Sequence, residues 1–435
     1  MHKVLIFLLL VSGAINISCN GIRSIKSDLT GLRPYEEYVR NLEKANLHNR
    51  PMVTQWIAAG EDAMKDSLIV SIPFSETGHF VSHRPDARSY QFDAMDGQVV
   101  TINGALKVTS DARVFADLFV WEKNKWRNVA WSDSSLTLSY ELTRNARCLL
   151  RIQPELLVNA YYSLSMSVTP VLINPVSGAS NKSIQSFYGA SRDGGKRSHE
   201  GVDIFAKKGT PIIAPTSGTV SRVGHSRLGG KVVWMYDKKR AHSYYFAHLD
   251  SQYVSAGQKV NQGDVLGTVG NTGNARYTPP HLHFGIYQSK SKDPLHYIKT
   301  LDAIANISAV DTTFTANPFK IGVKKSSLRR SPASKSEVIL PLGKNSYVEV
   351  LAQVKDYYRV RLADGVEGYI PQKDIINADK GEQVLLTESR ELLSDVDSDR
   401  TVIMMIGADT AVETLATFGD YKLIRTTEGL HGWIQ

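Results

Sequence analysis

His199, Asp203, His281 and His283 are the residues of this chain best suited to do chemistry. The run His199-Glu200-Gly201-Val202-Asp203 sets an imidazole and a carboxylate four positions apart, and His281-Leu282-His283 follows about eighty residues later. One carboxylate and two imidazoles suit Zn²⁺, and three protein ligands leave the open position that a catalytic site needs. His281 and His283 belong to a stretch that continues as Phe284-Gly285-Ile286-Tyr287 and reads as a strand. On a strand, residues two apart point to the same face. Two imidazoles therefore reach one point in space, where one can bind metal and the other can face a substrate and handle protons.

Further segments surround these residues in a fixed order. Ser198-His199-Glu200-Gly201-Val202-Asp203-Ile204 comes first, and Thr210-Pro211-Ile212-Ile213-Ala214-Pro215-Thr216-Ser217-Gly218-Thr219-Val220 follows. Tyr245-Phe246-Ala247-His248-Leu249, Val260-Asn261-Gln262-Gly263-Asp264-Val265-Leu266-Gly267 and Pro280-His281-Leu282-His283-Phe284 complete the set. This series resembles the LytM/lysostaphin-type zinc metallopeptidases, which cut peptide bonds in bacterial cell-wall peptidoglycan. The resemblance spans roughly Ile184 to Tyr287, about a quarter of the chain. It implies that His199, Asp203 and His283 ligate one Zn²⁺ per chain, and that His248 and His281 are catalytic histidines outside the metal shell. The chemistry agrees. Amide hydrolysis needs an activated water, a polarised carbonyl and a proton for the leaving amine. Zinc supplies the first two, and two imidazoles can orient or deprotonate the water, stabilise the oxyanion or pass the proton on.

The chain departs from the commonest family pattern at Asn271-Thr272-Gly273-Asn274-Ala275-Arg276-Tyr277-Thr278-Pro279-Pro280, which replaces a small Ser/Gly-rich turn. This loop is expected to border the substrate groove, and it leaves the cleaved peptide bond open. The alternative function is a catalytically silent wall-binding regulator that activates a separate amidase. Such relatives usually lack one or more ligands, whereas here none is missing. The remaining histidines carry no assigned role. His242 reads as part of a basic hairpin tip, and His225 as a strand-end turn.

At 435 residues the chain is too long for one core and implies three or four domains. The formal charge of +8 is moderate. No stripe of Lys and Arg interleaved with aromatics appears, so nucleic acid is not the expected partner. A basic surface suits anionic wall polymers or lipid headgroups. Lys3 followed by the apolar run Val4–Val11 reads as an export signal over residues 1–19, too short to span a bilayer. Cys19 lies where a lipoprotein signal would be cut and lipidated, although Asn16 and Ile17 depart from the usual pattern. The expected location is thus the cell envelope, membrane-anchored through Cys19 and facing the periplasm, or else secreted. Cys148 is the other cysteine and reads as a buried small hydrophobe, so no disulfide is expected.

The expected fold class is mainly β and multidomain. Residues 20–66 form a helical or linker segment, with an amphipathic helix from Pro34 to about residue 49. Residues 67–170 show short alternating strands and turns such as Asp96-Gly97, and read as a β-sandwich accessory domain. It would be a spacer, a carbohydrate binder or a cover that keeps the groove latent. Residues 171–300 form the antiparallel-β peptidase domain. After a linker near 301–317, a repeat appears. Gly368-Tyr369-Ile370 and Gly432-Trp433-Ile434 lie 64 residues apart and resemble the closing strands of two small SH3-like barrels, at 318–377 and 380–435. Such modules often bind peptidoglycan and raise local enzyme concentration. Tyr357, Tyr358 and Tyr369 would supply a binding face, unless they fill the barrel core.

Overall fold

A computed structural model describes residues 31–65, 67–108, 111–301, 318–396 and 400–435. The signal segment 1–19, with Cys19, and all but the first residue of the 301–317 linker lie outside the described residues. The fold is mainly β. No helix among the described residues is long and apolar enough to cross a membrane.

The helical segment is two helices rather than one. The first, Pro34–Lys44, starts on a proline and is capped by Arg33 N–H donating to Glu36 Oε2 at 3.1 Å. The chain breaks after Lys44 and restarts at a second proline as Pro51–Asp62. Both helices pack onto the strands that follow. Trp56 is 1% exposed, stacks on Tyr35 and donates Nε1–H to the Pro154 carbonyl at 2.8 Å. The segment is therefore a cover for a sheet, not a spacer.

Residues 68–170 build two sheets around one core. The five-stranded sheet runs in the order Leu68–Ile69, Arg88–Ala94, Ala146–Pro154, Val114–Glu122, Lys125–Ser132. The facing strands are Phe74–Phe80, Ala160–Pro170, Gln98–Val108 and Leu138–Glu141. Tyr90, Leu118 and Leu150 from the first sheet meet Ile102, Tyr162 and Met166 from the second. Cys148 is fully buried, and burial pushes its thiol up to about 12.

The second sheet does not end with this region. Its edge strand Phe74–Phe80 pairs with the C-terminal strand Tyr347–Val354 through Thr77↔Gln353 and Gly78↔Ala352, which makes one eleven-stranded sheet. A buried ionic cluster lies along this junction. Arg361 donates to Asp86 at 2.8 Å, Arg359 Nε–H to Glu367 at 3.0 Å, and Tyr162 to Glu76 at 2.6 Å. The modules expected in series are thus joined by backbone hydrogen bonds and desolvated charges. Tyr369 is fully buried and is a packing residue rather than part of an exposed face, while Tyr357 and Tyr358 are half-buried against neighbouring cores.

The C-terminal repeat is visible in its packing. A side chain on Gly368 would meet Leu328 Cγ at 2.7 Å, and one on Gly432 would meet Leu392 Cγ at 2.7 Å. Each glycine lets the closing strand cross over a core leucine. The last six strands form a separate sheet, ordered Glu382–Leu385, Ala411–Phe418, Tyr421–Arg425, His431–Ile434, Arg390–Leu393, Val402–Ile406.

The central region is a ten-stranded sheet whose path includes Ile184–Ser186, Val202–Phe205, His281–Tyr287, His242–Gln252, Gly230–Asp237 and Gly218–Ser226. It is fastened to the N-terminal sheets. Arg240 and Lys239 bind Glu141, Lys292 binds Asp96 at 2.7 Å, and the Tyr297 ring lies where a Gly97 side chain would be. His242, expected at a hairpin tip, instead opens the strand His242–Gln252 and is buried at this junction, 5.6 Å from the Tyr297 ring. His225 likewise lies within the strand Gly218–Ser226 rather than in a turn.

Candidate metal centre

Strand register brings the site together. Val202–Phe205 pairs antiparallel with His281–Tyr287, so that Asp203 faces His283 and Phe205 faces His281. His199 reaches the same point from the approach to the first strand, where its N–H donates to the Ala190 carbonyl and its carbonyl accepts from Gly189 N–H, both at 2.8 Å. Gly201 makes this approach possible. A Cβ there would lie 2.4 Å from the Phe284 carbonyl oxygen and 2.8 Å from His283 Cε1.

Three donor atoms converge: His199 Nε2, Asp203 Oδ1 and His283 Nδ1, with separations of 2.9, 3.0 and 3.0 Å. His199 Nδ1 lies 2.9 Å from the Phe187 carbonyl oxygen, which can only accept. The neutral ring therefore carries its proton on Nδ1 and turns the Nε2 lone pair inward. Around a zinc ion with bonds of about 2.0–2.1 Å, tetrahedral donors stand about 3.3 Å apart. A small outward relaxation of these three atoms admits the ion, and the donor set of two imidazoles and one carboxylate fits it. Burial opposes the charge on Asp203, but the contacts of its carboxylate with the His199 and His283 rings prevail and hold it well below the usual carboxylate range. Its other oxygen accepts from Arg192 at 2.8 Å.

His248 and His281 lie beside this cluster. Their rings are 5.0 Å apart, and the His248 and His283 rings 6.1 Å. His248 marks the point where the strand His242–Gln252 changes neighbour: Ala247 pairs with His283, and Leu249 pairs with Val269. The change is accommodated by a left-handed backbone at His248, with φ of 65°, and by its N–H donating to the Gly229 carbonyl at 2.7 Å. A non-glycine residue held in that region is characteristic of functional sites. His248 Nδ1 donates to the Thr272 carbonyl at 2.8 Å and His281 Nδ1 to the Pro279 carbonyl at 2.9 Å, which leaves Nε2 as the acceptor on each neutral ring. The His281 ring also stacks on Phe205 at 5.0 Å. Burial lowers the His248 pKa to about 4 and lowers that of His283.

All five residues line one cleft of about 730 Å³. Its walls come entirely from the central region, including Arg192, Arg197, Tyr245, Tyr287, Asn274 and Thr278. The 271–280 segment does border the cleft, through Asn274, Ala275 and Thr278, while Tyr277 projects outward and is 87% exposed. No residue of the N-terminal sheets or the C-terminal units lines it, so neither acts as a cover over the groove among the described residues. Sequence reasoning missed Arg192. It lies on the short hairpin Ser191–Arg192/Arg197–Ser198, and an isolated arginine before a Gly-Gly turn carries no chemical signal on its own.

Residues 197–294 match the model of peptidase family M23, so the chain contains a domain of that family. It is 38% identical over 118 residues to an L-Ala–D-Glu endopeptidase of Bacillus subtilis, a match covering 25% of this chain and 36% of the relative. It is 35% identical over 118 residues to the murein hydrolase activator NlpD of Escherichia coli, covering 27% of this chain and 29% of that protein. The chain therefore spans about a third of the length of these relatives. Among solved structures, the catalytic domain of lysostaphin from Staphylococcus simulans is similar at 32% identity and a TM-score of 0.24, over 26% of this chain and 87% of that one.

Proposed function

We propose that this protein is a zinc-dependent endopeptidase that hydrolyses peptide bonds in the stem peptides or cross-bridges of peptidoglycan. The observation that carries this reading is the joint geometry of the cleft. Three convergent donors, His199, Asp203 and His283, lie beside two further imidazoles, His248 and His281, in one open groove. A non-catalytic member of the family has no need of all five.

His199, Asp203 and His283 would hold the ion, which supplies Lewis acidity toward the scissile carbonyl and acidifies a bound water. Arg192 fixes the outer oxygen of Asp203, so that its inner oxygen keeps its aim. The tautomers of His248 and His281 define what those rings do first. Each has its Nδ1–H committed to a carbonyl, so each begins as a proton acceptor at Nε2 and becomes a donor only after taking up a proton. That sequence serves hydrolysis, in which a proton leaves the water and later reaches the amine. Burial keeps His248 neutral at ordinary pH and hence ready to accept. In the cell, the protein would act in the envelope, with the export signal and Cys19 supplying an anchor, and the two C-terminal units would be SH3-like.

The test is mass spectrometry of soluble fragments from purified sacculi, with and without a zinc chelator, beside a His283→Ala control. New peptide ends that vanish in both controls support the reading and identify the bond. Zinc-loaded protein that releases no fragments, yet stimulates a separate amidase, would replace it with the activator role.

A further inference from the structure

We propose that the outer face of the hairpin formed by Val114–Glu122 and Lys125–Ser132 is a second binding site, a stacking platform for the glycan strand of the wall polymer. That choice of occupant rests on the endopeptidase reading of the groove. Trp121 and Trp126 face each other across the two strands, with ring centroids 5.0 Å apart and planes at 71°. Trp121 is 41% exposed. A single exposed apolar residue needs no explanation, whereas a facing pair of indoles left uncovered at the end of a packed face does.

The rest of that face is covered. Phe115 lies under Tyr35, Tyr38 and Trp56 of the N-terminal helices, and Phe119 lies under the guanidinium groups of Arg33 and Arg151. The cover stops there: Trp121 continues the aromatic row into solvent, with the half-buried Trp126 beside it. The apolar C–H face of a pyranose chair can pack against the flat face of such an indole.

The charge around the pair favours an anionic polymer. The register that sets Val120 opposite Cys148 places the exposed Arg147 beside Trp121. The turn adds the exposed Lys123, and Lys125 follows it. Glu122 is already bound by Arg127 at 2.6 Å and by Arg144 at 2.5 Å. Asp93, cross-strand from Arg147, is the acid on the far side. A glycan strand substituted with carboxylate-bearing peptides offers both sugar faces and negative charge.

The platform is linked to the central region by side-chain contacts. Arg127 donates to the Tyr140 hydroxyl at 3.4 Å, and the next residue, Glu141, binds Arg240 and Lys239 of the catalytic region. Polymer held on the indoles is therefore kept close to the chain that carries the groove, which raises local concentration.

The experiment is co-sedimentation of the full chain with purified sacculi and, separately, with glycan strands stripped of their peptides, in a His281→Ala background so that nothing is digested. In parallel, chains with His281 intact are assayed on a soluble peptide-cross-linked muropeptide dimer. The Trp121→Ala/Trp126→Ala pair is expected to lower bound protein about tenfold or more on both polymers, while the dimer is cut at the unaltered rate. The Trp121→Tyr/Trp126→Tyr pair is expected to retain most binding, which separates stacking from collapse of the hairpin. Arg147→Glu should weaken binding at low salt and lose its effect at high salt. Sedimentation of the alanine pair equal to the unaltered chain, or binding that disappears when the peptides are stripped, overturns the platform. Loss of sedimentation with no cleavage of the dimer by any variant supports the platform and removes the endopeptidase reading instead.

Discussion

Asp203 and His283 are direct cross-strand partners whose Oδ1 and Nδ1 atoms stand 3.0 Å apart, so the candidate metal centre is written into one register of one strand pair. A slip of one residue by either strand would send its own ligand to the opposite face and part the pair. Substituting either by alanine should abolish zinc binding and activity together. The fold should persist, because the strands are held by Val202, Ile204, Leu282 and Phe284 in the core below. Metal content by elemental analysis, with circular dichroism on the same samples, checks both halves of this expectation.

Arg192→Ala is expected to act more gently. It removes the partner of the outer Asp203 oxygen and leaves all three donors in place. Outer-shell losses of this kind cost about 10–100-fold in metal affinity. Competition against a graded chelator would measure it, and an affinity unchanged from that of the unaltered chain would show that Arg192 merely lies alongside.

His248→Ala and His281→Ala should retain zinc while the chemical step slows by about 10²–10⁴-fold, the usual contribution of a positioned proton carrier. Loss of kcat with near-constant metal content is the expected pattern. Loss of metal from either variant would move that histidine into the ligand shell.

Gly201→Ala tests the close approach behind the site. Its new methyl would collide with the Phe284 carbonyl and the His283 ring, so overpacking should destabilise the domain by about 1–3 kcal/mol and displace a ligand. Thermal unfolding and zinc content should fall together.

The convergence of His199, Asp203 and His283 was legible in the sequence through the resemblance of the ordered motifs to the LytM/lysostaphin type, while strand periodicity by itself placed only His281 and His283 on one face. The atoms that aim these residues were not legible. Phe187, Thr272 and Pro279 serve through their carbonyl oxygens, which any residue possesses. The left-handed turn at His248 is also silent in sequence, since it arises from the strand changing neighbours. Strand spacing exposed β structure in 68–170 and in the C-terminal repeat. It held no information about Thr77 pairing with Gln353, because edge-to-edge partners far apart in the chain share no local pattern. The helix begun at Pro34 was legible from its proline, but its end at Lys44, followed by a left-handed backbone at Asn46 with φ of 57°, was not.

The junction also gives a pH expectation. His79 is 7% exposed, and burial, with Arg88 nearby, lowers its pKa to about 4. The unfolded chain binds that proton from pH 6.5 downward, while the folded chain resists until about 4. Stability should therefore fall as pH drops through that window, by up to about 3 kcal/mol, and level off below it. A His79→Gln chain should lose this component of the slope in denaturant titrations across pH.

The sheet shared by Phe74–Phe80 and Tyr347–Val354 has a consequence for how the molecule is made. The central region lies between these strands in sequence, so the edge at Thr77 and Gly78 waits, unpaired, while that whole region is synthesised. An open strand edge invites pairing with other chains. Closure of this edge must therefore await the return of the C-terminal strand. Any chain stopped ahead of residue 347 would carry a permanently adhesive margin.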